Sequence, residues 1–521
     1  MQRAVDQYRL PIRSGGSPRI LVPGIVMMIL AAIVTFFVVV AGSGAFSSYS
    51  YLFLLPWIMG LAIVMAVPSA ILYYQGKFSL ADPVIFATWS YLFPAFVLGG
   101  LFFAVGWSQP YFISFIQDAP YNLPLTVVLI ALGYAGLSVG YFLPIGRKFA
   151  DWVNKFLPEV NYEPSKYVVP GVILLILGVI NTIMAFILGI FGYQKADEIN
   201  SYDALIYFTT LFWMQASFLL CCVLFQKKSI SVSNFIVITL LTLTAISKAL
   251  FAGNRGSLVQ IFLIIVMAYL LSGRRLGMKQ SVVAGCTLIV LLTIGMIYGT
   301  TFRSVKGGES QQNFDEYAQN VTRTIDSIGK SDVSQTLGSG FSSLTERIDV
   351  LSTLAVVVSN YEALAPYEEA YDLDNNIWKD MTTSLVPRVV WKEKPFSSDP
   401  RRFSDLYFNF GESSFAITPI GDLLRNFGFA GVFIGMMVIG IFMRFFYRAL
   451  IEGQERSIWR STLYFMLLTS ISYEGFYGTI IPNFAKAGFM AVVGLLIVYL
   501  LMNKRTAAAR PTYLKPGTAV R

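Results

Sequence analysis

Long runs of apolar residues recur along the chain and are separated by mostly short polar connections. About twelve runs approach twenty residues, which is the length a helix needs to cross a hydrocarbon core of roughly 30 Å. They lack the two-residue alternation of a membrane barrel, and a helix satisfies its own backbone in lipid. The pattern therefore predicts helical spans at approximately 20-42, 51-74, 84-105, 123-145, 168-192, 204-225, 231-250, 255-272, 281-302, 429-449, 461-480 and 484-502.

A single long hydrophilic segment, about 303-428, interrupts this pattern. We expect an all-α integral membrane protein of about twelve transmembrane helices, with a large outward loop between helices 9 and 10. Helical periodicity in 311-328 and 343-358 indicates a membrane-surface helix or the core of a cap within that loop. The predicted organisation is 1-302 for helices 1 to 9, 303-428 for the loop, 429-502 for helices 10 to 12 and 503-521 for a tail.

Composition supports a membrane protein. Hydrophobic residues make up 55% of the chain and aromatic residues 15%, more than a soluble domain normally carries. The three cysteines, Cys221, Cys222 and Cys286, fall inside predicted spans, so no disulfide framework is expected. The first apolar run exceeds a signal-peptide core and no small-residue cleavage site follows it, so we expect it to be retained.

Basic residues are concentrated in alternate connections. Lysine and arginine close to span ends are retained on the cytoplasmic side, so the pattern predicts cytoplasmic termini and an outward 303-428 loop. It also accounts for most of the net charge of +9, and we therefore expect no nucleic-acid partner. The basic connections contain Arg3, Arg9, Arg13, Arg19, Arg147, Lys148, Lys155, Lys166, Lys227, Lys228, Arg274, Arg275, Lys279, Arg444, Arg448, Arg456, Arg460, Lys504, Arg505 and Arg510.

Several kinds of site chemistry are excluded by the residues present. The chain has no histidine, which removes Ser-His and Cys-His nucleophile systems and the commonest transition-metal ligand. No cysteine lies outside the spans for a zinc site, and no phosphate-binding Gly-Lys-Ser/Thr loop occurs. We expect no cofactor and no resident metal. Asp372 and Asp374 in "YDLDNN" are either an ordinary surface pair or a divalent-cation site.

Arginine is conspicuous on the predicted outward side, and guanidinium groups bind phosphate oxygens in bidentate fashion. Arg255 lies in the tight turn "AGNRGSL" at 252-258, at a predicted helix start that favours an anion. The alternative is an interfacial arginine that reaches the headgroups. The outward arginines are Arg255, Arg303, Arg323, Arg347, Arg388, Arg401, Arg402 and Arg425.

Short motifs in the second half occur in a recognisable order. The turn "GNRG", a large outward loop, "VPRVVWKEKP" at 386-395 and "TPIGDLLRNFGFAGV" at 418-432 follow one another. This arrangement resembles the Wzy-type O-antigen and oligosaccharide repeat-unit polymerases, which are membrane glycosyltransferases with a large periplasmic loop. The resemblance covers mostly 250-435. It implies a protein of the bacterial inner membrane that is active on the periplasmic face.

The resemblance implies transfer of a growing glycan from undecaprenyl pyrophosphate to a hydroxyl of an incoming lipid-linked repeat unit. The partners would be these lipid-linked donors and acceptors, membrane lipid, a chain-length regulator and a flippase. Arginines suit the departing pyrophosphate, since charge grows on it in the transition state. Trp391 would stack on a sugar ring or lie at headgroup level. The candidate pyrophosphate ligands are Arg255, Arg388, Arg401, Arg402 and Arg425.

A carboxylate is the remaining choice for activating the hydroxyl. Asp422 lies in "GDLLRNFG" and Glu474 in the predicted span that contains "SYEGFYG", where an ionisable side chain is costly. The alternatives are an ordinary helix-start aspartate and a glutamate paired with Lys486 or Lys248. The related ligases use a loop histidine, so its absence disfavours a ligase. A transporter or flippase of lipid-linked oligosaccharide is the rival function, although the two halves of the chain are dissimilar.

Overall fold

The structure, a computed structural model, describes residues 51–158, 162–188, 190, 202–226, 232–252, 255–274, 277–306, 314–330, 333–386, 390–412, 414–455 and 457–508. Every regular element within these ranges is helical and none is a strand, which confirms the predicted all-α class. The longer helices are α1 Leu55–Tyr74, α2 Pro83–Ala104, α3 Ala119–Phe142, α4 Pro144–Val153, α5 Val168–Ile187, α6 Asp203–Thr209, α7 Leu211–Gln226, α8 Val232–Ala252, α9 Arg255–Leu271, α10 Met278–Lys306, α11 Phe314–Lys330, α12 Val333–Ile348, α13 Val350–Leu364, α14 Asn376–Leu385, α15 Pro400–Phe408, α16 Pro419–Leu450, α17 Ile458–Leu468 and α18 Ile480–Ala508.

Eight helical segments in the described part of the chain are long and apolar enough to cross a membrane. The expected count of twelve is not confirmed. Predicted spans 231-250 and 255-272 form the shorter apolar helices Asn234–Leu250 and Leu258–Leu271, and 20-42 lies outside the described residues. The eight segments are Leu52–Tyr74, Pro83–Ala104, Ala119–Phe142, Pro164–Ile187, Leu205–Gln226, Lys279–Lys306, Pro419–Leu450 and Tyr477–Asn503.

The prediction of a continuous helix over 461-480 is wrong. Helix α17 ends at Leu468, and the chain is irregular until the 3₁₀ turn Tyr477–Thr479. Two hydroxyl side chains lie at the end of the helix, where Thr469 and Ser470 donate to the carbonyls of Phe465 and Leu467 at 2.9 and 2.8 Å. Such local bonds compete with helix continuation.

Glycines bring α3 and α16 into close parallel contact. A Cβ on Gly140 would lie 2.0 Å from the carbonyl oxygen of Met437, and one on Gly440 would lie 2.0 Å from that of Leu137. Gly136 approaches the Phe433 carbonyl in the same way. Small residues allow helix backbones to pack closely where lipid supplies no hydrophobic driving force. This pair therefore forms the central contact of the helix bundle.

Helix α13, which lies within the predicted outward loop, is buried in the bundle. Residues 350–358 are all buried, and the helix packs against α2, α3 and α16. The continuous helix expected over 343-358 is broken at Asp349, whose Oδ1 caps α13 by accepting from the Ser352 amide at 3.0 Å. The apolar segments Gly340–Ile348 and Val350–Tyr367 meet there at 46° and could form one broken span or a re-entrant loop.

The connections gather at two ends of the bundle. At one end Arg444 donates to the Tyr141 hydroxyl at 2.9 Å, and Arg448 pairs with Asp151 at 2.9 Å. We call this the basic end. At the other end the Tyr111 hydroxyl donates to the Phe408 carbonyl at 2.9 Å. We call that the cap end, and it contains 105–118, the described parts of 365–418, and 469–479.

Candidate functional site

The N-terminal turn of α16 builds one side of the candidate site at the cap end. Thr418 precedes Pro419 and accepts a hydrogen bond from the Gly421 amide through Oγ1 at 3.1 Å, so both residues favour a helix start here. Gly428 has φ of 66° and kinks the helix. Such a backbone conformation strongly favours glycine. The segment 419–427 is therefore a separate helical segment of about two and a half turns, which lies before the predicted span and carries Asp422 and Arg425.

Asp422 is fully buried and joins two sequence motifs. Its Oδ1 accepts from Nη2 of Arg425 at 2.9 Å, and its Oδ2 accepts from the backbone amide of Tyr477 at 2.8 Å. Asp422 thus holds the end of the "SYEGFYG" segment against α16. Because both oxygens are occupied, the carboxylate acts as a positioning group in this arrangement.

The side chain of Arg425 is also fully buried, and its charge is paired. Its Nη1 donates to Oε1 of Glu368 at 2.7 Å and its Nη2 to Asp422. Its guanidinium also lies 5.4 Å from the ring centre of Phe403. With no exposed side-chain surface, Arg425 is not placed to contact a pyrophosphate, which differs from the predicted role. Burial requires the two carboxylates, because an unpaired charge is costly away from water.

Glu368 extends the same network to α15. The Tyr407 hydroxyl donates to Glu368 Oε1 at 2.9 Å, and burial raises the pKa of that hydroxyl. The Asn376 Oδ1 accepts from Arg425 at 3.2 Å and from Asn426 at 2.8 Å. Sequence analysis did not select Glu368, Asn376 or Tyr407, and their types and spacing gave no signal for doing so.

Four buried polar atoms of this region have no hydrogen-bond partner among the described residues. They are Asp380 Oδ2, Ser398 Oγ, Asn376 Nδ2 and Arg425 Nε. Asp380 Oδ1 accepts from the Ser398 amide at 2.8 Å. Burial, followed by the nearby charge of Asp422, raises the pKa of Asp380. A buried polar atom without a hydrogen bond costs about 1–3 kcal/mol. These four atoms are therefore suited to bind ordered water or a ligand that carries hydroxyl groups.

Glu474 lies in an open cleft beside this network. It is exposed, it belongs to no helix, and its carbonyl accepts from the Ile417 amide at 3.2 Å. The cleft has a volume of about 320 Å³. Its lining residues are Tyr91, Thr469, Ser470, Ile471, Ser472, Tyr473 and Glu474.

Aromatic rings and charge define the wall of the cleft. Tyr91 stands on a π-helical stretch, Thr88–Leu98, and its ring stacks on Tyr473 with centroids 5.5 Å apart. The cleft therefore combines an accessible carboxylate with several hydroxyl groups, which can bind a polar substrate and accept a proton from it.

The other predicted ligands are dispersed or fall outside the description. Arg255 begins α9, with its side chain outside the described set, and Arg388 lies outside the described residues altogether. Arg401 is partly buried on α15. Arg402 is exposed, with its Nη1 3.9 Å from Oδ2 of Asp372. Trp391 is 42% exposed.

Two lysines account for local features of the outer segment. Lys379 Nζ forms an ion pair with Asp372 Oδ1 at 2.6 Å. The described ranges contain no group of three or more metal-ligating side chains that could hold a metal ion. Lys394 donates to the carbonyls of Thr383 and Val386 at 3.2 and 2.9 Å. It therefore satisfies the C-terminal end of α14, which gives one basic residue of "VPRVVWKEKP" a structural role.

The described helices and the cap-end cleft define the chain as an all-helical protein with the spans of a multi-pass membrane protein. A family model described as a domain of unknown function (DUF8712) matches residues 153–451, more than half of the 521 residues, and the chain belongs to that family. No curated protein and no solved structure matches it. The matched range contains Glu368, Asp380, Asp422 and Arg425, whereas Glu474 lies beyond it.

Proposed function

We propose that this protein is a polysaccharide polymerase of the bacterial inner membrane, with cytoplasmic termini and the cap end in the periplasm. It joins oligosaccharide repeat units carried on undecaprenyl pyrophosphate into a surface polysaccharide. The observation that carries this proposal is the exposed carboxylate of Glu474 in a cleft fixed to the polymerase-like segment at 418-432. Tyr477 connects the two through Asp422.

Glu474 is the better candidate for the base, because it is accessible and the Asp422 oxygens are occupied. In the proposed step the acceptor hydroxyl gives its proton to the Glu474 carboxylate. The hydroxyl oxygen bonds to the anomeric carbon of the donor, whose bond to the phosphate oxygen breaks. The pyrophosphate leaves with the electron pair. Asp422 and Arg425 act as positioning residues that hold the Glu474 segment against α16.

The leaving pyrophosphate requires cations, because negative charge accumulates on it as the bond breaks. Arg347, one of the predicted outward arginines, is exposed in the last turn of α12. Arg255 and Arg388 remain predicted ligands. Arg401 is partly buried and Arg402 is exposed, and both lie at the cap end. Arg425 is withdrawn from this role, since its guanidinium is paired and buried.

The proposal is tested with purified protein in vesicles and a panel of synthetic undecaprenyl-pyrophosphate-linked repeat units. A ladder of products that differ by one repeat unit is expected. Products extended by a single transfer to a different acceptor would indicate a ligase-like transferase. The absence of any product across the panel would contradict the proposal.

A carrier of lipid-linked oligosaccharide is the second candidate, and one observation favours it. Lys248 lies in the apolar helix α8, 4.1 Å from the ring centre of Trp213, and donates to Gln260 at 3.3 Å. Ionisable residues within apolar helices often mark a substrate path. Transbilayer movement of labelled donor without chain growth, in the same vesicles, would support the carrier.

A further inference from the structure

Helix α14 has the reverse of the polarity expected for a helix on a water-exposed cap. Four of its five buried residues are polar, and two of its three exposed residues are apolar. The buried residues are Asn376, Ile377, Asp380, Thr383 and Ser384, and the exposed ones are Trp378 at 61%, Leu385 at 47% and Thr382. A surface helix in water buries its apolar residues and exposes its polar ones. Polar residues that face the protein interior, with apolar residues outside, are typical of a helix in contact with lipid.

Apolar residues are also exposed in residues 390–396, which Lys394 links to the end of α14 through the carbonyls of Thr383 and Val386. Val390 is 78% exposed, Trp391 42% and Phe396 45%. Contiguous exposed apolar surface on a protein marks an interaction site. The segment also exposes Lys392, a side chain that can reach headgroups while its stem lies along apolar surface.

This face is continuous with the outer surface of a candidate membrane span. The ring of Trp378 meets that of Phe427 at 6.5 Å and 71°, and Phe427 is 44% exposed on α16. On its other side α14 packs against Tyr477–Thr479 and α18, where Gly478 closely approaches Ile377. The helix therefore lies beside two candidate spans, at the depth where both begin.

We propose that α14 and residues 390–396 lie in the membrane–water interface of the leaflet at the cap end. Trp378, Leu385, Val390 and Trp391 would contact the headgroup and upper acyl region, where tryptophan is enriched in membrane proteins. The occupant of the face is lipid, because Asn376, Asp380 and Thr383 of the same helix are buried against the protein and the face extends along a span. This proposal does not depend on the reaction that the protein catalyses.

Spin labels measure the environment of this face in vesicles of phosphatidylethanolamine and phosphatidylglycerol. The chain is first depleted of cysteine by replacing Cys221, Cys222 and Cys286 with alanine. Labels are then attached in Trp378→Cys and Val390→Cys, with Asp374→Cys, an exposed polar position just before α14, as the matched control. We expect molecular oxygen to collide more often than a water-soluble nickel complex at 378 and 390, and the reverse at 374.

Nickel access at 378 and 390 equal to that at 374 would overturn the proposal. Low access of both reagents would indicate a protein partner on this face and would also overturn it. If a labelled variant fails to fold, Trp378→Phe and Trp391→Phe keep an aromatic ring and provide a second measurement. Lipids brominated near the headgroup should quench part of the tryptophan emission, and each substitution should remove a quenched component. If each substitution instead removes only unquenched emission, the proposal fails.

Discussion

Replacement of Arg425 by methionine should destabilise the protein strongly, although Arg425 is not placed to contact substrate. The substitution leaves Glu368 and Asp422 buried without their cation, with side chains 9% and 0% exposed. Removing one partner of a buried ion pair typically costs about 3–5 kcal/mol. The upper part of this range is expected, since one arginine serves two carboxylates. At about 1.4 kcal/mol per factor of ten, the unfolding equilibrium constant should rise 100-fold or more.

Reversible unfolding by denaturant in mixed micelles measures this change. Arg402→Met is the matched control, because Arg402 is 55% exposed and its 3.9 Å contact with Asp372 should contribute at most about 1 kcal/mol. The triple variant Glu368→Gln, Asp422→Asn, Arg425→Met removes all three charges and should recover part of the lost stability. The reasoning is refuted if Arg425→Met and Arg402→Met unfold at the same denaturant concentration.

The remaining predictions concern packing, pH and the donor site. Gly140→Leu should reduce folded protein, because its side chain would collide with the Met437 carbonyl, whereas Gly60→Leu, with open space around it, should not; size-exclusion chromatography measures both. The raised pKa of Asp380 favours the folded state at low pH, and this contribution is lost as pH rises through the folded-state pKa, so stability relative to Asp380→Asn should fall from about pH 4 upward in thermal unfolding. Arg255→Ala and Arg388→Ala should abolish polymer without lowering protein abundance, and lysine at either position should restore activity only partly; unchanged activity in an alanine variant would remove that residue from the site.

The hydrophobic pattern predicted the class of the fold, because a run of about twenty apolar residues has few alternatives to a spanning helix. It did not predict that α13 is buried within the helix bundle. Its apolar stretch, 354–358 with Val350 and Leu351, is too short to indicate a span and is interrupted by Ser352 and Thr353. Its place depends on contacts with α3 and α16, which are distant in sequence.

The sequence pointed to only some residues of the candidate site, because several of its contacts join residues that are distant along the chain. The polymerase-like segment drew attention to Asp422 and Arg425, and the structure places them together because they are three residues apart on one helix. The sequence could not indicate that Glu368 and Asn376 would accept hydrogen bonds from Arg425, since these residues are about fifty or more positions away along the chain. Glu474 was expected inside a helix because it lies in a largely apolar run, but α17 ends at Leu468, six residues before it.

The central claim is that Glu474 activates the acceptor hydroxyl in the cap-end cleft. The most direct test is the initial rate of repeat-unit addition by Glu474→Gln in vesicles, compared with Glu163→Gln, an exposed glutamate in the connection between α4 and α5. Loss of general base catalysis predicts a rate lower by roughly 10²-fold or more for Glu474→Gln, with donor binding retained, and an unchanged rate for Glu163→Gln. Equal rates of chain growth in the two variants would contradict the account.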